Sequence, residues 1–491
     1  MTRAKRTALS STSSVPGGAS QEGCADTPLW AARPSRGQRR PGLGWSPTPA
    51  RLAMYEMTSE QVPVAWPLIA GDGPPPWGAE MGCDALSGGI FYCDPMGWVT
   101  DDALPVTNPN VFIFGKPGRG KSALVKALLL RMIRFGYRGL VLGDVKDEYE
   151  PLARLLGVEP HRIGPGLPGR INPLDPGPLA DGWSELSAAE SQRRLAVITS
   201  RWLTLLRGLV SSQGVPCGPT QERVLTRVLA GVTGSDRGCS QLAPAAVPDV
   251  WAALDSPSDD LIRDSRHHDR RSFLDETRPL RDALATLCEG SLRGMFDGPS
   301  TVRPDWRAPL QTLSLRALHD TGNQAAVGIA LMCLNSWGQA MRELARPGDR
   351  RIVLRDEAWL QTRLSLDAVS SLDANLRLSR RDGDIQIVTY HKPSDPLAAG
   401  DAGSQAAQIA RDLLHLADTR VLLGQDAEVA SELGTLLGLT RMQRDAVTGW
   451  AMQERGRALW LVGDRRFKVQ LLLTPLEQAL FDTNTAVAWA L

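Results

Sequence analysis

Apolar residues along this chain fall into two patterns: short continuous runs and stripes at helical spacing. Asn110-Val-Phe-Ile-Phe114 is a continuous run, the signature of a strand buried on both faces rather than one with a wet side. An amphipathic helix is predicted from Ser122 to about Phe135, followed by a second buried strand at Gly139-Leu-Val-Leu-Gly143. Strand, helix, strand is a βαβ unit, which places the two strands parallel with a right-handed crossover. The pattern resumes with strands at Leu310–Leu315, Arg351–Leu354, Asp384–Thr389 and Thr419–Leu423. Helices separate them, notably Ala325–Ala345, where Trp337 and Met341 continue one apolar stripe. The fold class is therefore α/β with a mainly parallel sheet, carried by residues 108–180 and 293–491. Residues 181–292 differ. Leu195, Ile198, Trp202, Leu205 and Leu206, then Val224, Val228 and Leu229, recur at helical spacing, broken by Gly/Pro loops and the polar run Arg263–Arg271. They predict an all-helical insertion. Ahead of the sheet, residues 53–107 read as a short β-rich segment with Gly/Pro-punctuated runs such as Gly89-Ile-Phe-Tyr-Cys93. No internal repeat is evident.

Composition changes this picture little. The chain has 491 residues, 42% hydrophobic, enough to fill a sizeable core, and a net charge of +1. No global field draws it onto nucleic acid or anionic lipid. The N-terminal 52 residues are the local exception. They are rich in Ser, Pro, Gly and Arg, and carry Arg3, Lys5, Arg6, Arg33, Arg36, Arg39 and Arg40 against Glu22 and Asp26. Such a segment cannot bury enough apolar surface to offset its ordering entropy. It reads as a solvated tail or an over-extended start, or as an electrostatic tether to DNA or a membrane surface. The seven Cys are scattered without a C-x-x-C pair, which suggests neither a zinc site nor a disulfide framework and points to a reducing compartment. No apolar run reaches the roughly 20 residues of a membrane span, and no apolar signal core opens the chain. A soluble cytoplasmic protein is expected, docked peripherally if it meets a membrane at all.

The candidate chemistry lies at the strand ends. Gly115-Lys-Pro-Gly-Arg-Gly-Lys-Ser122 fits G-x-x-x-x-G-K-[ST]. Glycines let backbone N–H groups converge on phosphates, and the following helix turns its positive end towards them. Gly115, Lys116, Pro117, Gly118, Arg119, Gly120, Lys121, Ser122 and Ala123 form the expected nucleotide cradle. Lys121 would reach the β- and γ-phosphates and the Ser122 hydroxyl would ligate Mg²⁺. A second part is an apolar strand ending in acid, Arg351-Ile-Val-Leu-Arg-Asp-Glu357. Asp356 would hold the Mg²⁺ shell and Glu357 would polarise the attacking water as general base. Arg355 is odd in such a strand, and is expected at an edge or against a neighbouring subunit. A third strand runs from Ile385 to Thr389 into Tyr390-His-Lys-Pro-Ser-Asp395. Thr389 and His391 are candidates for sensing the γ-phosphate; the alternative for His391 is a hydrogen-bonded strand-end residue. Arg377, Arg380 and Arg381 lie between the last two strands. One of them, Arg380 or Arg381 above all, could stabilise transition-state charge in a neighbouring subunit's site, or the three form a solvated basic helix face. ATP and Mg²⁺ are the implied cofactors.

Beyond the P-loop, Gly143-Asp-Val-Lys-Asp-Glu-Tyr149 and Arg170-Ile-Asn-Pro-Leu-Asp175 resemble signatures of the conjugative type IV secretion ATPases of the HerA–FtsK superfamily. Gly294-Met-Phe-Asp-Gly298, Asp356-Glu-Ala-Trp359, Arg457-Ala-Leu-Trp-Leu-Val-Gly463, Phe91–Pro95 and Asn108-Pro-Asn110 fit the same pattern, with the short actinobacterial forms the nearest likeness. The resemblance covers about Phe91 to the C-terminus. It implies a RecA-like sheet with an inserted helical domain, a homo-hexamer, and ATP hydrolysis coupled to conjugation or secretion at membrane-bound machinery. It also places Asp144, Lys146 and Glu148 near the nucleotide; otherwise they are a charge-balanced surface loop. The family's large N-terminal docking domain is expected to be absent or cut to about Met54–Leu104, and the glutamine often found at its sensor strand gives way to Thr389–His391. Two other functions stay open: a DNA-translocating coupling protein, and a nucleotide-bound scaffold with little turnover.

Overall fold

A computed structural model describes residues 75–102, 104–238, 242–302, 308–340, 342–343, 348–357, 360, 366–392, 408–409 and 412–481. The basic N-terminal segment, Met341, Trp359 and Pro393–Asp395 lie outside the described residues. Eleven strands form one sheet: β1 Ala79–Asp84, β2 Ile90–Cys93, β3 Val111–Phe114, β4 Tyr137–Asp144, β5 His161–Arg162, β6 Leu310–Ser314, β7 Arg350–Arg355, β8 Asp384–Tyr390, β9 Thr419–Leu423, β10 Arg457–Val462 and β11 Arg465–Leu471. Their order is β2-β1-β11-β10-β9-β3-β8-β7-β4-β6-β5. From β9 to β5 all neighbours are parallel, and from β9 to β2 all are antiparallel.

Burial explains why the predicted strands appear where they do. Every residue of β3 and of β8 is buried, because helices cover both faces of the parallel half. Val111 and Ile113 pack with the helix Lys121–Ile133, whereas Phe112 and Phe114 point to the other face, against Leu372 and Leu376 of the helix Leu366–Asp382. The helix Lys121–Ile133 buries Leu124, Val125, Leu128, Leu129 and Met132, each stabilising by roughly 1.5–3 kcal/mol relative to exposure. Asn110 fixes the start of β3: its side-chain amide donates to Leu376 O at 2.9 Å and Leu416 O at 2.8 Å.

Helices occupy most of the described residues 177–288, the longest being Ala188–Ser211, Pro219–Thr233 and Arg270–Cys288. Their apolar residues, including Trp202, Leu206, Val228 and Leu284, form one continuous cluster with Leu140, Leu142, Leu313 and Val353 of the sheet. This helical layer and the sheet thus share a core. The antiparallel hairpin β10–β11 did not stand out in the pattern. β11 alternates buried and half-exposed positions, and the runs around Gly89 prove to be an extension of the same sheet through β1 and β11. Among the described residues no helix is long and apolar enough to cross a membrane.

Arg355 corrects an expectation. It faces neither an edge nor a partner; β7 lies inside the sheet between β8 and β4, and Arg355 is 3% exposed. Its Nε donates to Gln386 Oε1 at 3.2 Å and its Nη1 to Asn335 Oδ1. Burial, with Arg342 adding to it, lowers its pKa to about 9. The helix Gln324–Ala340 brings Asn335 under β7, a partner no local pattern could reveal.

Candidate active site

The carboxyl ends of all the parallel strands lie along one edge of the sheet, and the predicted motifs meet there. β3 ends at Phe114, the loop Gly115–Gly120 follows, and the helix begins at Lys121. Gly118 has φ +79 and Gly120 φ +94, backbone states that L-residues with a Cβ avoid. A Cβ on Gly120 would also lie 3.1 Å from Gly456 N. The loop is held from the side of β9 and β10. Lys116 N donates to Gly424 O at 3.3 Å and Gly456 N to Arg119 O at 3.0 Å. Arg119 Nη1 donates to Met452 O at 2.8 Å, and Lys116 Nζ pairs with Asp426 at 2.9 Å.

On the other flank stand β7 and β8. Asp356 and Glu357 follow the end of β7 and are 8% and 6% exposed. Asp356 Oδ1 accepts from the Thr389 hydroxyl, and Oδ2 accepts from the Tyr149 hydroxyl at 3.3 Å. Glu357 has φ +52, a conformation that costs a residue with a side chain on the order of 1 kcal/mol or more. His391 bridges the two motifs: Nδ1 is 3.3 Å from Lys121 Nζ, and Nε2 is 3.4 Å from Glu357 Oε1. An ammonium can only donate, so Nδ1 accepts and the neutral ring carries its proton on Nε2, directed at Glu357. Lys121, Glu357, Thr389, His391 and Asp356 are thus brought together.

The loop after β4 supplies a second set. Asp144 accepts backbone N–H groups from Lys146 (3.1 Å), Glu148 (3.1 Å) and Tyr149 (2.9 Å). Burial nevertheless pushes its pKa up to about 6, the three N–H donors opposing that rise. Lys146 Nζ reaches Glu357 Oε1 at 2.8 Å. Lys126, one turn into the helix after the loop, is buried with Nζ 3.7 Å from Glu148, and desolvation lowers its pKa. Tyr149 and Gln425 are the site residues that motif reading passed over as roles. Gln425, buried after β9, donates to His391 O at 3.2 Å; the Gly-Gln-Asp that ends an apolar strand was the available signal.

Arg380 and Arg381 are not brought to this site. They close the last turn of the helix Leu366–Asp382, which leads into the amino end of β8. Arg380 Nη1 donates to Thr107 O at 3.3 Å, Arg381 pairs with Asp382 at 2.9 Å and Arg377 with Asp373 at 2.7 Å. All three lie at the sheet edge opposite the glycine loop.

The donor set suits a phosphate chain with a divalent cation. A glycine loop of two left-handed residues opens a 13-residue helix, and its first-turn N–H groups have no intrahelical partner. The Ser122 hydroxyl in that turn and the carboxylate of Asp356 supply hard oxygen ligands. Fold and site together define a P-loop protein on a RecA-like sheet. The particular likenesses are to VirB4 and to conjugative coupling proteins. VirB4 of Thermoanaerobacter pseudethanolicus superposes with a TM-score of 0.65 at 20% identity, over 83% of this chain and 100% of that one. The plasmid coupling protein TrwB in complex with ADP and Mg²⁺ gives 0.51 at 13% identity, over 82% and 92%. The unbound conjugative coupling protein TrwBdeltaN70 gives 0.50 at 14%, over 74% and 85%. No model of a known protein family matches the sequence, and no curated protein matches it.

Proposed function

We propose that this chain is an ATP-hydrolysing motor that energises conjugative DNA transfer or type IV secretion. The observation that carries the reading is the Lys121–His391–Glu357 bridge, which joins the glycine loop to the acidic strand end in one site. The backbone N–H groups of the loop cradle the phosphates of ATP, and Lys121 neutralises the β- and γ-phosphates. Ser122 and Asp356 would hold Mg²⁺, which would supply charge neutralisation at the phosphates. Thr389 and Tyr149 hold the Asp356 carboxylate in place through their hydroxyls. Glu357 orients the attacking water and takes its proton. His391 lies where a γ-phosphate would compete for Lys121, which supports it as the sensor.

Arg380 and Arg381 can act only on another subunit's nucleotide, since they sit on the far edge of their own sheet. The reading therefore includes a homo-oligomer, a hexamer by likeness to the family, docked peripherally on secretion machinery at the inner face of the membrane. TrwB favours a second reading, a DNA-translocating coupling protein, but its likeness is weaker than that of VirB4. The test is steady-state ATPase rate against protein concentration, with and without single- and double-stranded DNA. A rate that rises with concentration and ignores DNA supports the secretion motor. Strong DNA stimulation moves the reading to the translocase, and absence of turnover sinks both in favour of a scaffold.

A further inference from the structure

Lys146 has no part in the chemistry above, yet it makes a close ionic contact to the proposed base. The side chain is half-exposed, at 47%, while Glu357 is nearly buried, and they meet at 2.8 Å. The same Oε1 also faces His391 Nε2 at 3.4 Å, so two groups converge on one carboxylate oxygen. An ammonium bonded to that oxygen occupies a lone pair that an attacking water would need. A general base in this state is held out of use.

The backbone of Lys146 is fixed. Asp144 accepts its N–H and those of Glu148 and Tyr149. The neighbouring Asp147 has φ +57, bonds Ser314 Oγ and lies 3.7 Å from Arg316. The loop that carries Lys146 is thereby tied to the end of β6, the strand that follows the helical layer. The side chain beyond that fixed backbone is flexible and reaches solvent, so it can leave Glu357 without the loop unfolding.

Resting on the ATPase reading, we infer that Lys146 is a positioning residue that holds Glu357 through this ion pair and releases it when ATP and Mg²⁺ occupy the glycine loop. The driving step is competition. Phosphates draw Lys121 from His391, and the ring so freed takes over Glu357 Oε1 from Lys146, leaving the lysine to solvent.

Lysine labelling tests this without turnover, and a chain with seven lysines gives a clean peptide map. Limiting acetic anhydride is applied to the full chain, with and without Mg²⁺ and a non-hydrolysable ATP analogue. Acetylation of each lysine is read by mass spectrometry, and analogue binding is measured separately. In the absence of analogue, Lys146 should acetylate roughly fivefold more slowly than in Glu357→Gln, the scale of a partly exposed ion pair. With analogue it should rise to the rate seen in that variant, while Lys121 moves the opposite way. A Lys146 rate equal to that in Glu357→Gln without analogue overturns the lock, because no ion pair then exists in solution. Analogue binding that protects Lys121 and leaves Lys146 slow overturns the release alone, and the ATPase reading survives. Failure to bind the analogue overturns the nucleotide reading, and the release with it.

Discussion

The two halves belong to one hydrogen-bonded sheet but differ in strand direction and in what they carry. In the parallel half, every strand runs the same way, so each carboxyl end reaches the same edge. Lys121, Asp144, Asp356, Thr389, His391 and Gln425 all follow from that single fact of direction. In the antiparallel half, successive strands end on opposite edges, and the flank meets the glycine loop at the 452–456 turn. That turn braces the glycine loop through Arg119 and Gly456. Chemistry concentrates where strand direction is uniform, and support comes from where it alternates.

The largest expected effect falls in the parallel half. Glu357→Gln should lower ATP turnover by at least about 100-fold, the usual scale for loss of a general base, while leaving equilibrium ATP binding intact. Normal hydrolysis by this variant would reassign the base. Next is the buried charge cluster beneath the same strands. Asp384 compensates both Arg342 and Arg351, so Asp384→Ala should destabilise by about 3–5 kcal/mol in urea unfolding, the scale of a broken buried pair. Arg355→Met should cost far less, since Arg355 bonds only amide oxygens. An equal loss would show that the amide network matters as much as the ion pair.

Gly120→Ala probes the join between the halves. Positive φ and the approach to Gly456 should together cost about 1–2 kcal/mol, visible as weaker binding in nucleotide titration. An unchanged affinity would mean that the flank tolerates a shift of the loop. Asp426→Asn removes an exposed partner of Lys116 and should change stability by less than about 1 kcal/mol.

The smallest effect is a pH dependence away from the site. Arg162, then Arg154, hold the Glu150 carboxyl below its usual value of about 4.5. A depressed folded-state pKa contributes stability that is present above about pH 4.5 and lost as pH falls through the folded value. Glu150→Gln should therefore flatten the acid limb of the melting temperature between about pH 5 and 3 without changing ATP turnover. An acid limb of unchanged slope would remove Glu150 from that account.

Much of this was legible in the chain because it is local. A run of apolar residues such as Val111–Phe114 has no solvent face to alternate with, and the glycine loop between it and a helix needs left-handed residues where Gly118 and Gly120 stand. The acid pair Asp356–Glu357 and the His391 strand end were visible for the same reason. The hairpin β10–β11 was harder to read, since half-exposed alternation in Arg465–Leu471 resembles a polar loop.

By itself, the sequence determined the strand–loop–helix unit, the acidic strand end and the helical layer. These depend on side-chain periodicity and backbone conformation over a few residues. Only the tertiary structure decided who meets whom. It set Lys146 against Glu357 across 211 positions and Gln425 against the His391 carbonyl. It also buried Arg355 over Asn335, and it placed Arg380 and Arg381 on the edge away from the glycine loop. Those pairings depend on strand order and direction in one sheet, which hydrogen bonding between distant segments fixes and no local pattern encodes.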